Sequence, residues 1–331
     1  MGVCGFMKCL SAEQVDRIQI LRGLAITAVV LIHNTPFGLP QVYCRPFINF
    51  AVGLFLFLSG MLSCAEKWNP KKRILKVIIP YIIWTFFYVL LINFRSPAQI
   101  PKSFIKYLIT AKSAAMMYYI FVYCEFTLLI PFIDKLAKSR YRSLGFLISP
   151  LEIIFVRLLP LITGQELNIY IRGIIGVSFV GWFIYFYLGY MLGNGLVKIK
   201  ISTSKIILLW GASMVLQLLE GYWYLSMGNS NCGTQMKLTS VISGILFAVL
   251  SYTYVYSDKK MWMPRFLLIL GNYSFGIFFS HMAIMTLLSR IPHYKEVVFY
   301  PLNAVIAIFM SLILVILGRK ILGRFSKYFA F

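Results

Sequence analysis

The chain has 331 residues, of which 60% are hydrophobic and 13% are charged, and it carries a formal net charge of +22. With a mean hydropathy of +0.80, this composition excludes an ordinary soluble domain and predicts a protein that lies mostly in a lipid bilayer. An excess of positive charge is typical of cytoplasmic loops that contact anionic headgroups, so it does not indicate a nucleic-acid partner.

Apolar segments recur along the whole chain and predict an all-α polytopic membrane protein, because the runs are much longer than the strands of a membrane barrel. We predict about ten transmembrane helices. Their approximate limits are 16–36, 46–65, 74–94, 115–133, 144–162, 172–193, 205–225, 238–257, 265–288 and 299–318. Glu152, Arg157 and two prolines interrupt the fifth span, so nine spans are the alternative. With no repeat or linker in view, a single transmembrane domain is expected over residues 1–331.

The distribution of Lys and Arg predicts the orientation of the bundle. If the N-terminus is inside, the predicted cytoplasmic segments hold most of the 32 basic residues. Four basic residues lie in one long loop on the opposite side and are exceptions to this distribution: Arg95, Lys102, Lys106 and Lys112. We therefore expect both termini to be cytoplasmic.

The six cysteines are scattered along the chain, with no CxxC pair and no regular histidine partner. Neither a disulfide framework nor a metal site is expected from such spacing. The first seventeen residues are too polar for a signal peptide, so the first span is expected to stay in the membrane.

The first apolar segment carries Arg22 and His33 eleven positions apart. At about 100° per residue this spacing returns both side chains to nearly the same helix face, roughly 16 Å apart along the axis. Ionisable side chains at membrane depth are rare and mark functional sites. The alternatives are an arginine that reaches the interface and a histidine that only packs. Asn34, next in the chain, can orient the imidazole or mark the end of the helix before Pro36.

The segment RGLAITAVVLIH (22–33) resembles the arginine, ten residues, histidine signature of the membrane-bound acyltransferase family 3. Four other blocks follow the family order: FAVGLFLFLSGML (50–62), KKRILKVIIPYIIW (71–84), WFIYFYLGYMLG (182–193) and LGNYSFGIFFSHMAIM (270–285). A further block, residues 118–131, is a looser version of the family pattern, with Tyr119 where relatives have histidine.

The resemblance implies an O-acyltransferase of the bacterial cytoplasmic membrane. Its members take an acyl group, here expected to be acetyl, from cytosolic acyl-CoA and pass it to a hydroxyl of a glycan or lipid-linked sugar. No metal is implied. In the third-helix block Arg73 and Lys76 stand where many relatives have two arginines, so one planar guanidinium is replaced by a point charge.

Physical reasoning on these residues agrees with the resemblance. Acyl-CoA is a polyanion that arrives from the cytosol, so its site needs fixed positive charge at the inner ends of helices, where we expect Arg22, Arg73 and Lys76. The alternative for Arg73 and Lys76 is simple anchoring at the interface. A thioester is already activated, and His33 can serve as the base that takes the hydroxyl proton or as a transient acyl carrier.

Four further polar residues are candidate site residues. Glu125 can hold the imidazole tautomer, pair with an arginine or contact the acceptor, and the sequence does not choose among these. His281 shares a helix face with Ser274, seven residues earlier, and lies either beside His33 or in a packing contact. Glu220 precedes three aromatic residues and fits an outward-facing sugar site or an ordinary aromatic belt.

Two other function classes remain open at this stage. A transporter or flippase for an anionic or sugar substrate also places charges inside the membrane, although no paired halves with broken helices are visible. A non-catalytic scaffold has little reason to keep Arg22 and His33 in register. The identity of the acceptor and the oligomeric state do not follow from the sequence.

Overall fold

The computed structural model describes residues 10–165 and 168–331, and these residues form helices and no strand. The prediction of an all-α protein is therefore confirmed for the described part of the chain. The α-helices are α1 Ala12–Asn34, α2 Leu39–Cys44, α3 Ala51–Met61, α4 Pro70–Asn93, α5 Ile100–Thr110, α6 Tyr118–Lys138, α7 Ile148–Glu152, α8 Leu159–Thr163, α9 Ile169–Ile175, α10 Phe183–Gly193, α11 Thr203–Ser226, α12 Leu238–Val255, α13 Arg265–Asn272, α14 Ser274–Leu288, α15 Tyr294–Val297 and α16 Leu302–Leu322.

Within the described residues, five helical segments are long and apolar enough to cross a membrane, and α13 with α14 makes a sixth if this bent pair is one span. The five are Leu39–Met61, Pro70–Asn93, Thr203–Ser226, Leu238–Val255 and Leu302–Phe329. These segments establish membrane character. Ten spans with both termini in the cytoplasm remain a prediction.

The chain divides into two compact units, and each is described by itself. Unit 1 consists of the described parts of Met1–Trp68, Leu129–Arg172 and Val180–Gly271. Unit 2 consists of Asn69–Leu128, Gly173–Phe179 and Asn272–Phe331. The single transmembrane domain expected from the sequence is left untested by this division.

In unit 1, α3 and α10 pack with their backbones in contact. A Cβ atom added at Gly60 would lie 2.1 Å from the carbonyl oxygen of Phe186, and one added at Gly189 would lie 2.1 Å from that of Phe57. Only glycine fits at such a distance, and small residues are what allow membrane helices to approach this closely. The two sequence blocks over 50–62 and 182–193 are thus partners in one helix pair.

The start of α1 is fixed in unit 1 by local and long-range hydrogen bonds. Ser11 Oγ accepts from the Gln14 amide at 3.2 Å, and the Gln14 side chain accepts from the Ser11 amide at 3.0 Å. Arg17 is buried and donates to the carbonyl oxygens of Tyr254 and Ser257 at 2.9 and 2.7 Å. A cation at the C-terminal end of α12 is favourable for the helix dipole, so Arg17 holds α1 against α12.

In unit 2, the hydroxyl of Tyr88 in α4 bonds to two backbone groups of α14. Its hydroxyl donates to the carbonyl oxygen of Phe279 at 2.7 Å and accepts from the amide of Ala283 at 3.0 Å. The same face of α4 carries Trp84, whose ring stacks on Phe279 with 6.3 Å between centroids. These contacts fix α14 against α4.

The structure differs from the predicted elements at several places. The sixth span, predicted over 172–193, is interrupted between the end of α9 at Ile175 and the 3₁₀-helix Val180–Trp182 that precedes α10. The loop predicted around Lys102 and Lys106 contains helix α5, which packs beside α4 because Tyr81 donates to the carbonyl oxygens at the end of α5. The fifth span, predicted over 144–162, is not one regular α-helix. It consists of a 3₁₀-helix, α7, a π-helix over Ile153–Leu158 and α8. Prolines in this stretch remove backbone donors and break the regular helix.

Candidate functional site

Helix α1 runs without a break from Ala12 to Asn34 and carries both Arg22 and His33, each half-buried. The predicted placement of the two on one helix is therefore confirmed, and an α-helix of this register turns them to nearly the same face. Beside Arg22, a Cβ at Gly23 would lie 2.0 Å from the carbonyl oxygen of Leu267. That backbone contact with α13 fixes the position of α1 within unit 1.

The C-terminal end of α1 is tightly hydrogen-bonded. Asn34 Nδ2 donates to the carbonyl oxygen of Val30 at 2.9 Å, and Thr35 Oγ1 donates to that of Leu31 at 2.8 Å. These bonds close the last turn of α1, and the proposed role of Asn34 in orienting the imidazole stays a prediction. Arg45 Nη1 donates to the carbonyl oxygen of Ile32 at 3.0 Å, directly before His33.

Arg45 belongs to a buried polar network in unit 1. Its Nε donates to Asn49 Oδ1 at 3.3 Å, and Asn49 Nδ2 donates to Gln217 Oε1 at 3.1 Å. Ser240 Oγ donates to the same Gln217 oxygen at 3.0 Å. All four side chains are buried, and such satisfied networks hold their members in one geometry. Sequence patterns gave no sign of this network, because Arg45 lies in the short 3₁₀-helix Arg45–Phe47 and outside any recognised motif.

Glu220 is engaged in capping α12. Its Oε2 accepts from the amide of Thr239 at 3.1 Å and from the Thr239 hydroxyl. A carboxylate at a helix N-terminus is stabilised by the free amides and the dipole there. Next to it the buried Lys237 donates to the carbonyl oxygen of Cys232 at 2.8 Å, and burial lowers the pKa of Lys237 to about 8. The contacts of Glu220 thus serve the fold, while its predicted role in sugar binding is not tested.

Unit 2 contains a cavity of about 470 Å³ with a strongly basic lining. Lys76 is on its wall, and Lys72, one turn earlier in α4, lines it as well. Arg73 is half-buried and is not one of the lining residues. The full lining is Lys72, Leu75, Lys76, Ile79, Pro80, Asn272, Tyr273, Phe275, Arg319, Lys327, Tyr328, Ala330 and Phe331.

Glu125 lies half-buried on α6 in unit 2, and its Oε2 accepts from the backbone amide of Phe179 at 2.7 Å. A backbone amide satisfies part of the hydrogen-bonding capacity of the carboxylate without neutralising its charge. Earlier in the same helix, the ring of Tyr119 packs against that of Phe278 with 5.5 Å between centroids. Tyr119, which occupies the histidine position of relatives, therefore contributes an aromatic contact.

His281 and Ser274 are both buried in α14. The Nδ1 atom of His281 lies 3.0 Å from the carbonyl oxygen of Ile277, one turn back in the same helix. This contact lies within α14 itself, so the choice between the two roles considered for His281 stays a prediction. Ser274 is the first residue of α14, directly after the cavity residue Tyr273.

The candidate residues are thus divided between the units. Unit 1 holds Arg22, His33, Asn34 and Glu220. Unit 2 holds Arg73, Lys76, Glu125, Ser274 and His281. Their participation in one common site stays a prediction. Among the described residues, no group of three or more His, Cys, Asp or Glu side chains could hold a metal ion.

A comparison with protein-family models matched residues 15–320 to a model described as an acyltransferase domain. The matched range begins within α1 and ends within α16, so it takes in all five sequence blocks and the looser one over 118–131. Searches of curated proteins and of solved structures gave no significant match.

Proposed function

Since the chain belongs to acyltransferase family 3, we propose that it transfers an acetyl group from cytosolic acetyl-CoA to a hydroxyl of a glycan or lipid-linked sugar. The coarser statement, a membrane acyltransferase, follows from the family and from the apolar helices. The donor, the acetyl group and the acceptor are the parts that we propose.

The observation that carries the proposal is the continuity of α1. One unbroken helix holds Arg22 and His33 in register about 16 Å apart, a cation at one level and a titratable imidazole about three turns further. A polyanionic donor needs a cation to bind its phosphates, and a neutral acceptor hydroxyl needs a base. The proposal places these two groups at different levels along α1. The network of Arg45 supports the end of α1 that carries His33.

In the first route, the neutral imidazole of His33 removes the proton of the acceptor hydroxyl as its oxygen attacks the thioester carbonyl carbon. The tetrahedral intermediate then expels the CoA sulfur, which takes up the proton. In the second route, the imidazole nitrogen attacks first, releases CoA and passes the acetyl group to the hydroxyl. Both routes leave one ester and one free CoA thiol.

Donor binding is supported by the basic cavity of unit 2. Lys76, expected from the sequence to bind the donor, lines it together with three other cations. Ammonium and guanidinium groups make strong charge-assisted hydrogen bonds to phosphate. Arg73 is proposed to contribute charge from its half-buried position on α4. The donor-binding role expected of Arg22 is part of the same proposal.

The test replaces His33 by asparagine, which keeps a polar side chain and removes the base. With radiolabelled acetyl-CoA and purified protein, we expect His33→Asn to lower transfer to acceptor glycan by about 100-fold or more. The matched control is His293→Asn, because His293 is an exposed histidine with a left-handed φ of 57° that asparagine tolerates. A His33→Asn protein with nearly unchanged transfer would remove the catalytic role.

The same assay addresses the rival function. A transporter or flippase leaves the label on CoA, whereas an acyltransferase moves it to the acceptor. Protein that is rapidly denatured at neutral pH and retains label on His33 distinguishes the acyl-carrier route from direct transfer, because an acyl-imidazole hydrolyses quickly in acid. Mass spectrometry of surface glycans from bacterial cells with and without the protein then identifies the acceptor, and fractionation of those cells tests the cytoplasmic-membrane location.

A further inference from the structure

The C-terminal segment, residues 323–331, forms one wall of the basic cavity in unit 2. It is held in place by Trp84, whose Nε1 donates to the carbonyl oxygen of Phe329 at 3.1 Å. The ring of Phe331 packs edge-on against Trp84 with 6.1 Å between centroids, and it fills the space over Gly318, where a Cβ atom would lie 2.4 Å from the ring. This segment is therefore an anchored part of the cavity.

Two of the four cations that line the cavity come from the end of the chain. Arg319 is near the end of α16, and Lys327 belongs to the C-terminal segment, whereas Lys72 and Lys76 come from the start of α4. None of the described lining residues is acidic. Four like charges around one cavity repel each other, and a bound polyanion converts that repulsion into attraction.

Aromatic rings lie beside these cations. The guanidinium of Arg319 is 5.8 Å from the ring centre of Tyr273, and the ammonium of Lys327 is 5.1 Å from the ring centre of its neighbour Tyr328. Cation–π contacts of this kind orient the charged groups before a ligand arrives. Four cations beside aromatic rings suit a ligand that combines several phosphate charges with a planar base.

We propose that this cavity binds the 3′-phosphorylated ADP moiety of the acyl-CoA donor, and that Arg319 and Lys327 contact its phosphates. The inference rests on the proposed function, which names this cavity for the donor without saying which part of the donor it holds or giving a role to Arg319 and Lys327. A cavity of 470 Å³ lies in the range that small ligands and cofactors occupy, roughly 300 to 1,000 Å³. The C-terminal segment thus becomes a part of the donor site.

The first arm of the test measures CoA binding to the full-length protein in neutral phosphatidylcholine nanodiscs. We expect the double variant R319Q/K327Q to raise the Kd for CoA at least about tenfold, because each removed cation loses a charge-assisted contact. The matched control is K320Q/R324Q, which removes the same charge from the same stretch of chain at positions outside the cavity lining. We expect the control to bind like the wild type, and R319K/K327R to retain most of the affinity.

The second arm replaces CoA by dephospho-CoA and compares the loss of affinity in the wild type with that in R319Q/K327Q. A general defect of the variant would weaken the binding of both ligands, so it would not produce the expected difference. Removal of the 3′-phosphate, in dephospho-CoA, should weaken binding to the wild type more than to R319Q/K327Q. Equal losses in both proteins, or an unchanged Kd for CoA in R319Q/K327Q, would overturn the assignment.

The third arm separates the donor from an anionic lipid headgroup, which presents the same phosphate chemistry. Added phosphatidylglycerol should compete weakly with CoA; if R319Q/K327Q loses phosphatidylglycerol and binds CoA normally, the cavity is a lipid site and the assignment fails. The proposed function fails separately, if the wild type binds CoA through these cations and yet transfers no acetyl group.

Discussion

Arg45 lies beside the last turn of α1, where its guanidinium reaches the carbonyl oxygen directly before His33. It is in turn held by Asn49, which is fixed by Gln217. None of these residues was singled out by the sequence, whereas Arg22 and His33 were, because their spacing is visible along a single helix. We interpret Arg45 as a positioning residue for the His33 end of α1.

At the residue scale, Arg45→Met keeps much of the volume of the side chain and removes its donors. We expect kcat for acetyl transfer to fall by about 10- to 100-fold, since small displacements of a catalytic group are costly, while KM for acetyl-CoA is unchanged. Arg45→Lys should restore part of the activity. The control is Arg140→Met, which removes an exposed arginine of the same unit. A wild-type kcat in Arg45→Met would refute the positioning role.

At the scale of elements, four predicted spans match single helices that are also long and apolar enough to cross a membrane: α4, α11, α12 and α16. Long apolar runs are the strongest signal a sequence offers for a membrane helix. The fifth span is irregular because proline and charge interrupt its run. Helix α5 was missed, although Lys102 and Lys106 lie four residues apart among apolar residues, as in an amphipathic helix.

The contact between α3 and α10 gives a prediction at this scale. Gly189→Ala places a methyl group 2.1 Å from the carbonyl oxygen of Phe57, so the two backbones must separate and packing is lost. We expect a clear fall in the thermal unfolding temperature of the purified protein in detergent. Gly211→Ala is the matched control, since no atom lies within 4 Å of a Cβ at that exposed helix position. Equal unfolding temperatures for the two variants would contradict this view of the helix pair.

At the scale of the whole molecule, the positive-inside pattern predicts the side of the membrane that each loop occupies. The basic cavity of unit 2 is lined by residues from the start of α4 and the end of α16. The positive-inside pattern predicts that both lie on the cytoplasmic side. Their joint lining of one cavity puts them together within unit 2, and the cytoplasmic side stays a prediction.

Cysteine labelling tests this orientation. In a variant without its six native cysteines, Arg324→Cys should react with a membrane-impermeant maleimide only in inverted vesicles. Ser230→Cys, in the turn between α11 and α12, should react only in right-side-out vesicles. Labelling of both positions from one side would refute the predicted topology.

The sequence by itself determined the membrane environment, the helical fold, the family, and the placement of Arg22 and His33 on one face of one helix. These properties follow from composition and from the spacing of residues within single segments, so they do not depend on how distant segments pack. Only the tertiary structure decided that Arg319 and Lys327 join Lys72 and Lys76, and that Arg45 supports the end of α1. Such groupings depend on contacts between helices far apart in the chain, where packing rather than local pattern fixes which side chains meet.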